Sequence, residues 1–251
     1  MNENKKKELA GRLAPGGVLR AGINMSNFLL VTGKTANEEP DGVSPDMARA
    51  LAAELGLDVR VVAFEGPGLL ADAIADNGWD IGNIAAEPER AKTICFSSAY
   101  CEIQATYLIH PDASSRIAGI EAVDQPGVRI AVKARSAYDL FLTDNLKHAE
   151  LVRSPTIDGS FDLFIADDKI DVLAGLRPAL QSQSEKLSGS VLLDDSFTAI
   201  QQSIGCQPCL EDVAAYIQDF VYRSIAEGRV AELIEKHGVT GRLSVAPLPK
   251  A

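Results

Sequence analysis

Short apolar runs of strand character alternate along the chain with segments whose apolar residues recur every three to four positions. That alternation predicts strands followed by helices, and hence a parallel-rich α/β architecture. Residues 18–23 read as the first strand. Met47, Leu51 and Leu55 fall four apart on one helical face; Ser44 is the expected N-cap, Pro45 and Asp46 open the helix, and Gly56 closes it. Residues 59–64 read as a second strand, 69–74 as a helix stopped by Asn77 and Gly78, and 79–84 as a third strand. This βαβαβ run is a compact lobe in its own right.

Residues 105–109 are strand-like and lead into a breaker run at 110–115, read as the crossing into a second lobe. There the alternation restarts at 128–132, with helices at 137–146, 161–166 and 178–183 and a strand at 170–174. Residues 197–203 read as the strand that returns. A long amphipathic helix follows, with Val213, Ile217, Phe220, Val221 and Ile225 on its apolar face. A short helix at 230–237 ends at Gly238. The expected division is 1–108 with 199–251 as lobe 1, and 109–198 as lobe 2. Two lobes joined by two extended crossings suit capture of a small molecule, by closure about segments near 107–110 and 198–202.

Composition narrows the function. The chain has 251 residues, 46% apolar and 24% charged, enough for two ordinary lobes. Its net charge of -11 opposes binding to a phosphate backbone, so no nucleic-acid partner is expected. Lys5, Lys6 and Lys7 lie in a polar segment read as a solvated helix start. No apolar run reaches membrane-spanning length, and residues 1–20 lack the apolar core of a secretory signal. Cys206 and Cys209 have C-x-x-C spacing, and Cys95 with Cys101 would make four thiolates; the looser gap favours ordinary cysteines over a metal or redox site. His110, His148 and His237 read as surface residues. No metal or cofactor is expected, and motifs for nucleophilic, nucleotide or dinucleotide chemistry are absent.

The segment 80–100 carries the most chemistry. An apolar strand runs into a turn holding Pro88, Glu89 and Arg90, and then into Phe96, Ser97 and Tyr100. Arginine presents a planar fork of donors suited to a carboxylate, and a position just past a strand end is where open α/β sheets collect ligands. The segment resembles the Asp-(apolar)-Thr-Pro-Glu-Arg-Ala-(x)-Phe-Ser-(x)-(x)-Tyr pattern of the bacterial extracellular solute-binding proteins of family 3. Residues 19–22, 42–51, Trp79 with Asp80, and 120–132 follow in family order, so the resemblance covers about 18–237. It implies the two-lobed type II periplasmic binding-protein fold, an interlobe site, and Arg90 as the group that holds the ligand carboxylate.

The resemblance and the layout together nominate a site. Asn24, Asn27 and Phe28 follow the first strand; Phe28 matches an aromatic that covers the ligand, or else it packs its loop. Ala85 ends the strand before Arg90. Arg135, Ser136, Ala137 and Tyr138 open a helix whose free amides suit an anion, Ser136 serving as ligand contact or as plain N-cap. Gln201 lies on the returning crossing, where it or Gln202 faces the site. Amino-acid binders of the family usually carry an aspartate five residues after the first; here Asp171 is followed by Leu176 and Arg177. That departure, with Arg90, Arg135 and Arg177, favours an anionic ligand. The expectation is a solute-binding protein for a small polar or anionic metabolite, and not an enzyme. It would be monomeric, serve the membrane component of an ABC transporter, and be periplasmic by resemblance, with a cytoplasmic chain as the alternative. Two other readings share the fold: a lyase of the cyclohexadienyl dehydratase type, with Glu87, Asp139 or Glu102 as general acid, and a ligand-sensing domain.

Overall fold

The computed structural model describes residues 3–167, 169–208 and 210–248. They divide into two compact units, Met1–Glu102 with Gln201–Ala251, and Ile103–Ile200. The chain opens with α1 (Glu3–Leu13), then β1 (Val18–Asn24), the short hairpin β2 (Gly33–Lys34) and β3 (Pro40–Asp41), α2 (Val43–Leu55), β4 (Asp58–Phe64), α3 (Pro67–Asp72) and β5 (Ile81–Ala85). A 3-10 turn at Arg90–Lys92 precedes β6 (Cys95–Phe96), and β7 (Cys101–Ile109) runs from the first unit into the second. There follow β8 (Arg129–Lys133), α4 (Ala137–Asn145), β9 (Glu150–Ser154), α5 (Ile157–Ala166), β10 (Val172–Leu176), α6 (Arg177–Ser184) and β11 (Val191–Leu192). β12 (Thr198–Cys206) returns to the first unit, which ends with α7 (Glu211–Ala226), α8 (Arg229–Lys236) and β13 (Ser244–Val245).

In the first unit β1 lies between β4 and β5, parallel to both, and β12 adds to β5 antiparallel, with Gln202 opposite Ala85. One face of this sheet packs Leu70, Ile74, Trp79, Ile84 and Ile94 into a cluster. In the second unit β10 lies between β7, antiparallel, and β8, parallel, and β9 extends β8 in parallel. Its core gathers Leu108, Ala131, Phe161, Phe164, Ile170, Leu173 and Leu180. The two units use the same device at a strand start. Asp80 accepts from the Arg20 amide at 2.7 Å, and Asp171 accepts from the Arg129 amide at 3.0 Å. Each acid therefore satisfies a main-chain donor that burial would otherwise leave without water.

The segment at 5–7 lies at a helix start as expected, and two other local expectations change. It belongs to α1, an eleven-residue helix that buries Leu9, Ala10 and Leu13 and packs on α2 and α7. Arg12 bridges to Asp212 on α7. Helix α2 starts at Val43 with Gly42, not Ser44, as its N-cap. Gly42 has φ 151°, and a Cβ there would lie 2.2 Å from the Leu30 carbonyl oxygen, so no other residue fits. Ser44 sits inside the helix, its hydroxyl 2.8 Å from the buried Tyr100 hydroxyl. Helix α5 begins earlier than its apolar pattern, because Thr156 caps it by accepting from the Gly159 amide at 2.9 Å.

His237 is not a surface residue: its side chain is 5% exposed and lies 2.8 Å from Asp46. Asp41, Asp46 and His237 bring three metal-ligating groups within 4.8 Å of one another. Lys236 reaches Asp46 at 2.7 Å and Arg49 reaches it at 3.0 Å, so protein cations meet the carboxylate charge. Burial alone would push the Asp46 carboxyl up, but hydrogen bonds from Lys236, His237 and Arg49 outweigh it and hold the group below its ordinary range. A lowered folded value means that stability is present above the unfolded carboxyl pKa of about 3.9 and is lost as pH falls through the folded value. Wild type should thus be more stable than Asp46→Asn near neutrality, and the gap should close below about pH 4. Urea midpoints at pH 7, 5, 4 and 3 check this, and a gap independent of pH would remove the ionic account.

Candidate functional site

The rim of the first unit lies at the carboxyl ends of β1 and β5. These strands are parallel neighbours, with Ile23 opposite Asn83, so the loops that leave them emerge side by side. After β1, Asn24 Oδ1 accepts from the Ser26 amide and hydroxyl, and Asn27 Oδ1 accepts from the Leu29 amide at 3.2 Å. Asx turns of this kind fix a loop from within. They leave the Phe28 ring 41% exposed, an aromatic surface on a braced loop and not a core residue.

After β5 the chain turns through Glu87 and Arg90. The Ala91 amide donates to the Glu87 carbonyl, and the Thr93 and Ile94 amides donate to the Arg90 carbonyl. This tight turn folds the Arg90 side chain back, and its Nη1 donates to the Ala85 carbonyl at 2.9 Å. Arg90 is 5% exposed and Glu87 is 8% exposed. Gln201 arrives from β12, and its carbonyl accepts from the Ala86 amide at 3.0 Å. Its side chain donates to Glu102 at 2.7 Å. Asn24, Asn27, Phe28, Ala85, Arg90 and Gln201 therefore gather on one rim of the first unit. Strand pairing brings them together from three separated stretches of sequence.

The second unit has its own rim, at the carboxyl ends of the parallel neighbours β8 and β10. Ser136 caps α4 by accepting from the Asp139 amide at 3.1 Å, and Asp139 in return accepts from the Arg135 amide at 2.7 Å. The two bonds brace the turn that opens α4. They hold Arg135 at φ 59°, a left-handed conformation costly for a side chain with a Cβ. The second Asp139 oxygen accepts from Arg153 at 2.9 Å. Ala137 and Tyr138 form the first turn and are buried. Burial, reinforced by the Asp139 charge, pushes the Tyr138 phenol up to about 12, so it stays a neutral hydroxyl. Lys133, at the end of β8 and two residues before Arg135, is not singled out by the sequence pattern. It is buried, and its Nζ donates to the Ala134 carbonyl at 3.3 Å.

Arg177 follows β10 and has a different setting. Its Nε donates to Gln104 at 2.8 Å, its Nη1 to the Leu193 carbonyl at 3.0 Å, and its Nη2 to the Asp194 and Asp195 carbonyls and the Ser196 hydroxyl. Those contacts engage all three guanidinium nitrogens, on β7 and on the segment 193–196, within the second unit. Arg177→Asp should therefore cost about 1–3 kcal/mol of stability by leaving carbonyls without donors. Chemical denaturation checks it; an unchanged midpoint would mean that the clamp carries no energy. Cys209 of the C-x-x-C pair lies outside the described residues.

Comparison with known proteins bears on the family. The family model for bacterial extracellular solute-binding proteins, family 3, matches residues 19–240. Cyclohexadienyl dehydratase of Pseudomonas aeruginosa is 30% identical over 166 residues, which cover 62% of this chain and 61% of that enzyme. An ancestral amino acid-binding protein, described as a precursor of cyclohexadienyl dehydratase, superposes with a TM-score of 0.70 at 22% identity, over 92% of this chain and 98% of its own. A putative binding component of an ABC transporter from Wolinella succinogenes, complexed with lysine, gives 0.71 at 19% identity, over 88% and 95%. The sequence suggested a protein that is not an enzyme. The match to the Pseudomonas dehydratase overturns that exclusion, because a missing motif says nothing where a relative catalyses a reaction on the same scaffold.

Proposed function

Because the chain belongs to the bacterial extracellular solute-binding proteins of family 3, we propose that it captures a small polar metabolite bearing a carboxylate, with Arg90 as the group that grips it. The observation that carries this reading is a 95%-enclosed arginine turned against the end of β5, on the rim that also presents Phe28 and Gln201. A guanidinium in such low-dielectric surroundings attracts a carboxylate more strongly than an exposed one does. The exposed Phe28 ring supplies apolar area to cover the rest of the ligand. In the second unit, the α4 amino terminus behind Ser136 offers donors to an anionic group. The lysine complex of the Wolinella protein and the amino acid-binding ancestor support a ligand of amino-acid size. Delivery to the membrane component of an ABC transporter, outside the cytoplasm and as a monomer, completes this reading.

A second reading has its own support in the dehydratase relative: the bound acid is converted as well as held. Glu87 is then the acid to examine, since it shares the Arg90 turn and is buried. The other candidates, Asp139 and Glu102, lie outside that turn, the first bonded by Arg135 and Arg153 and the second by Gln201. One experiment separates the two. A thermal-shift panel of amino acids, dicarboxylates, amines and cyclohexadienyl acids identifies the class that raises the melting point. Each hit is then incubated with the protein and followed by ultraviolet absorbance, because loss of water from a hydroxylated cyclohexadiene creates an aromatic ring. A stabilising carboxylate that returns unchanged supports capture, and aromatic product supports the dehydratase reading. Stabilisation by amines alone would overturn the role given to Arg90.

A further inference from the structure

The register of the first unit makes a pair that spacing along the chain does not suggest. Cys95 on β6 lies directly opposite Cys206 on β12 in an antiparallel pairing, next to Phe96 opposite Gly205. Residues directly opposite one another in such a ladder have Cα atoms about 4.5–5.5 Å apart and side chains on the same face. Disulfides need Cα separations of about 4.4–6.8 Å, so the backbone is already within span. The register is pinned from the other face. Ile94 is buried in the Trp79 cluster and Phe96 packs against it, so alternation turns Cys95 to the side that Cys206 occupies. Cys95 is a thiol in this structure.

We propose that Cys95 and Cys206 are a redox modification site, closing to a reversible disulfide that ties β6 to β12. The two thiols differ in access: Cys95 is half-buried, whereas Cys206 is 1% exposed. The accessible partner thus meets the oxidant first, a low-molecular-weight disulfide. The Cys95 thiolate attacks one sulfur of that disulfide, forming a mixed disulfide and expelling one small thiolate. The Cys206 sulfur then attacks Cys95 and expels the second. The protein loses two protons and two electrons, and the oxidant leaves as two thiols. Cys101 does not compete. It is fully buried, and burial pushes its thiol well up, so it stays protonated and unreactive.

The bridge has a structural consequence at the rim. The Arg90 turn is bounded by β5 and β6, and both pair with β12. β6 is only two residues long, so few backbone hydrogen bonds hold that end of the turn. A covalent tie at Cys95 would fix it, and would stabilise the fold by restricting the unfolded chain across a long loop.

The test begins with fully reduced protein, incubated with glutathione disulfide while folded, then acid-quenched. Thiols titrated in denaturant should fall from the four of the reduced chain to two. Intact mass should show the loss of two hydrogens, and a non-reducing peptide map should join the Cys95 peptide to the Cys206 peptide. The linkage should persist in Cys209→Ser and vanish in Cys95→Ser. The oxidised protein should melt at a higher temperature, and reductant should reverse the shift. Retention of four thiols, a stable glutathione adduct without a bridge, or a Cys206–Cys209 linkage in place of the cross-strand one would each overturn the proposal.

Discussion

Arg90→Ala should weaken binding of the carboxylate ligand by about 2–5 kcal/mol, the cost of truncating one partner of an enclosed, hydrogen-bonded charge pair. That corresponds to roughly 30-fold to a few thousand-fold in Kd. Calorimetry with the strongest carboxylate from the thermal-shift panel gives the number. From sequence, a rim arginine would be expected to leave stability untouched. The structure corrects this, because Arg90 is 5% exposed and donates to the Ala85 carbonyl. The variant should therefore also lose about 1–3 kcal/mol of stability, and affinity must be measured well below its melting point. Arg90→Lys separates the two effects, since it keeps the charge but not the planar fork. A folded Arg90→Ala protein with wild-type affinity would end the proposed role.

Trp79→Ala should cost about 3–5 kcal/mol of folding stability, a large share of the 5–15 kcal/mol typical of a native protein. The ring is fully buried among Leu70, Ile74, Ile84 and Ile94, and its indole N–H donates to the Leu70 carbonyl at 2.8 Å. It also fills the space above Gly82, where an added Cβ would lie 3.1 Å from the ring. Truncation leaves a cavity that the sheet cannot close and a carbonyl without its donor. Trp79 is the single tryptophan of the chain, so the midpoint is read by circular dichroism and not by fluorescence. A loss below about 1 kcal/mol would mean that the cluster repacks around the gap. Because Asp80 next to it fixes the Arg20 amide, damage here should spread to β1 and to the loop carrying Phe28.

Much of this was legible in the sequence, and the residues show why. The strand runs at 18–23 and 59–64 and the helical spacing of Met47, Leu51 and Leu55 are local periodicities, and they survive as β1, β4 and α2. Arg90 could be singled out because its turn directly follows an apolar strand, a relation contained in a dozen residues. The extent and buried face of helix α1 were harder to see than its start. Only Leu9, Ala10 and Leu13 carry its buried face, too sparse a stripe to stand out from the lysines beside it. The Gly42 cap was missed because its cause is the Leu30 carbonyl, a contact from outside the helix.

The sequence by itself determined the alternation of strands and helices, the family pattern and the placing of candidate residues at strand ends. These depend on which side chain follows which, and a repeat of two or of 3.6 residues is enough to set the buried face. Only the tertiary structure decided what each polar group does. Arg177 looked like a ligand contact by its place in the motif, yet its donors meet the carbonyls of Leu193, Asp194 and Asp195. His237 looked superficial until α8 brought it against Asp46. Cys206 shares only C-x-x-C spacing with Cys209 in the sequence, whereas strand register sets it opposite Cys95. A hydrogen bond or a thiol pair depends on distances of a few ångströms between residues far apart in the chain, and only the packed fold sets those distances.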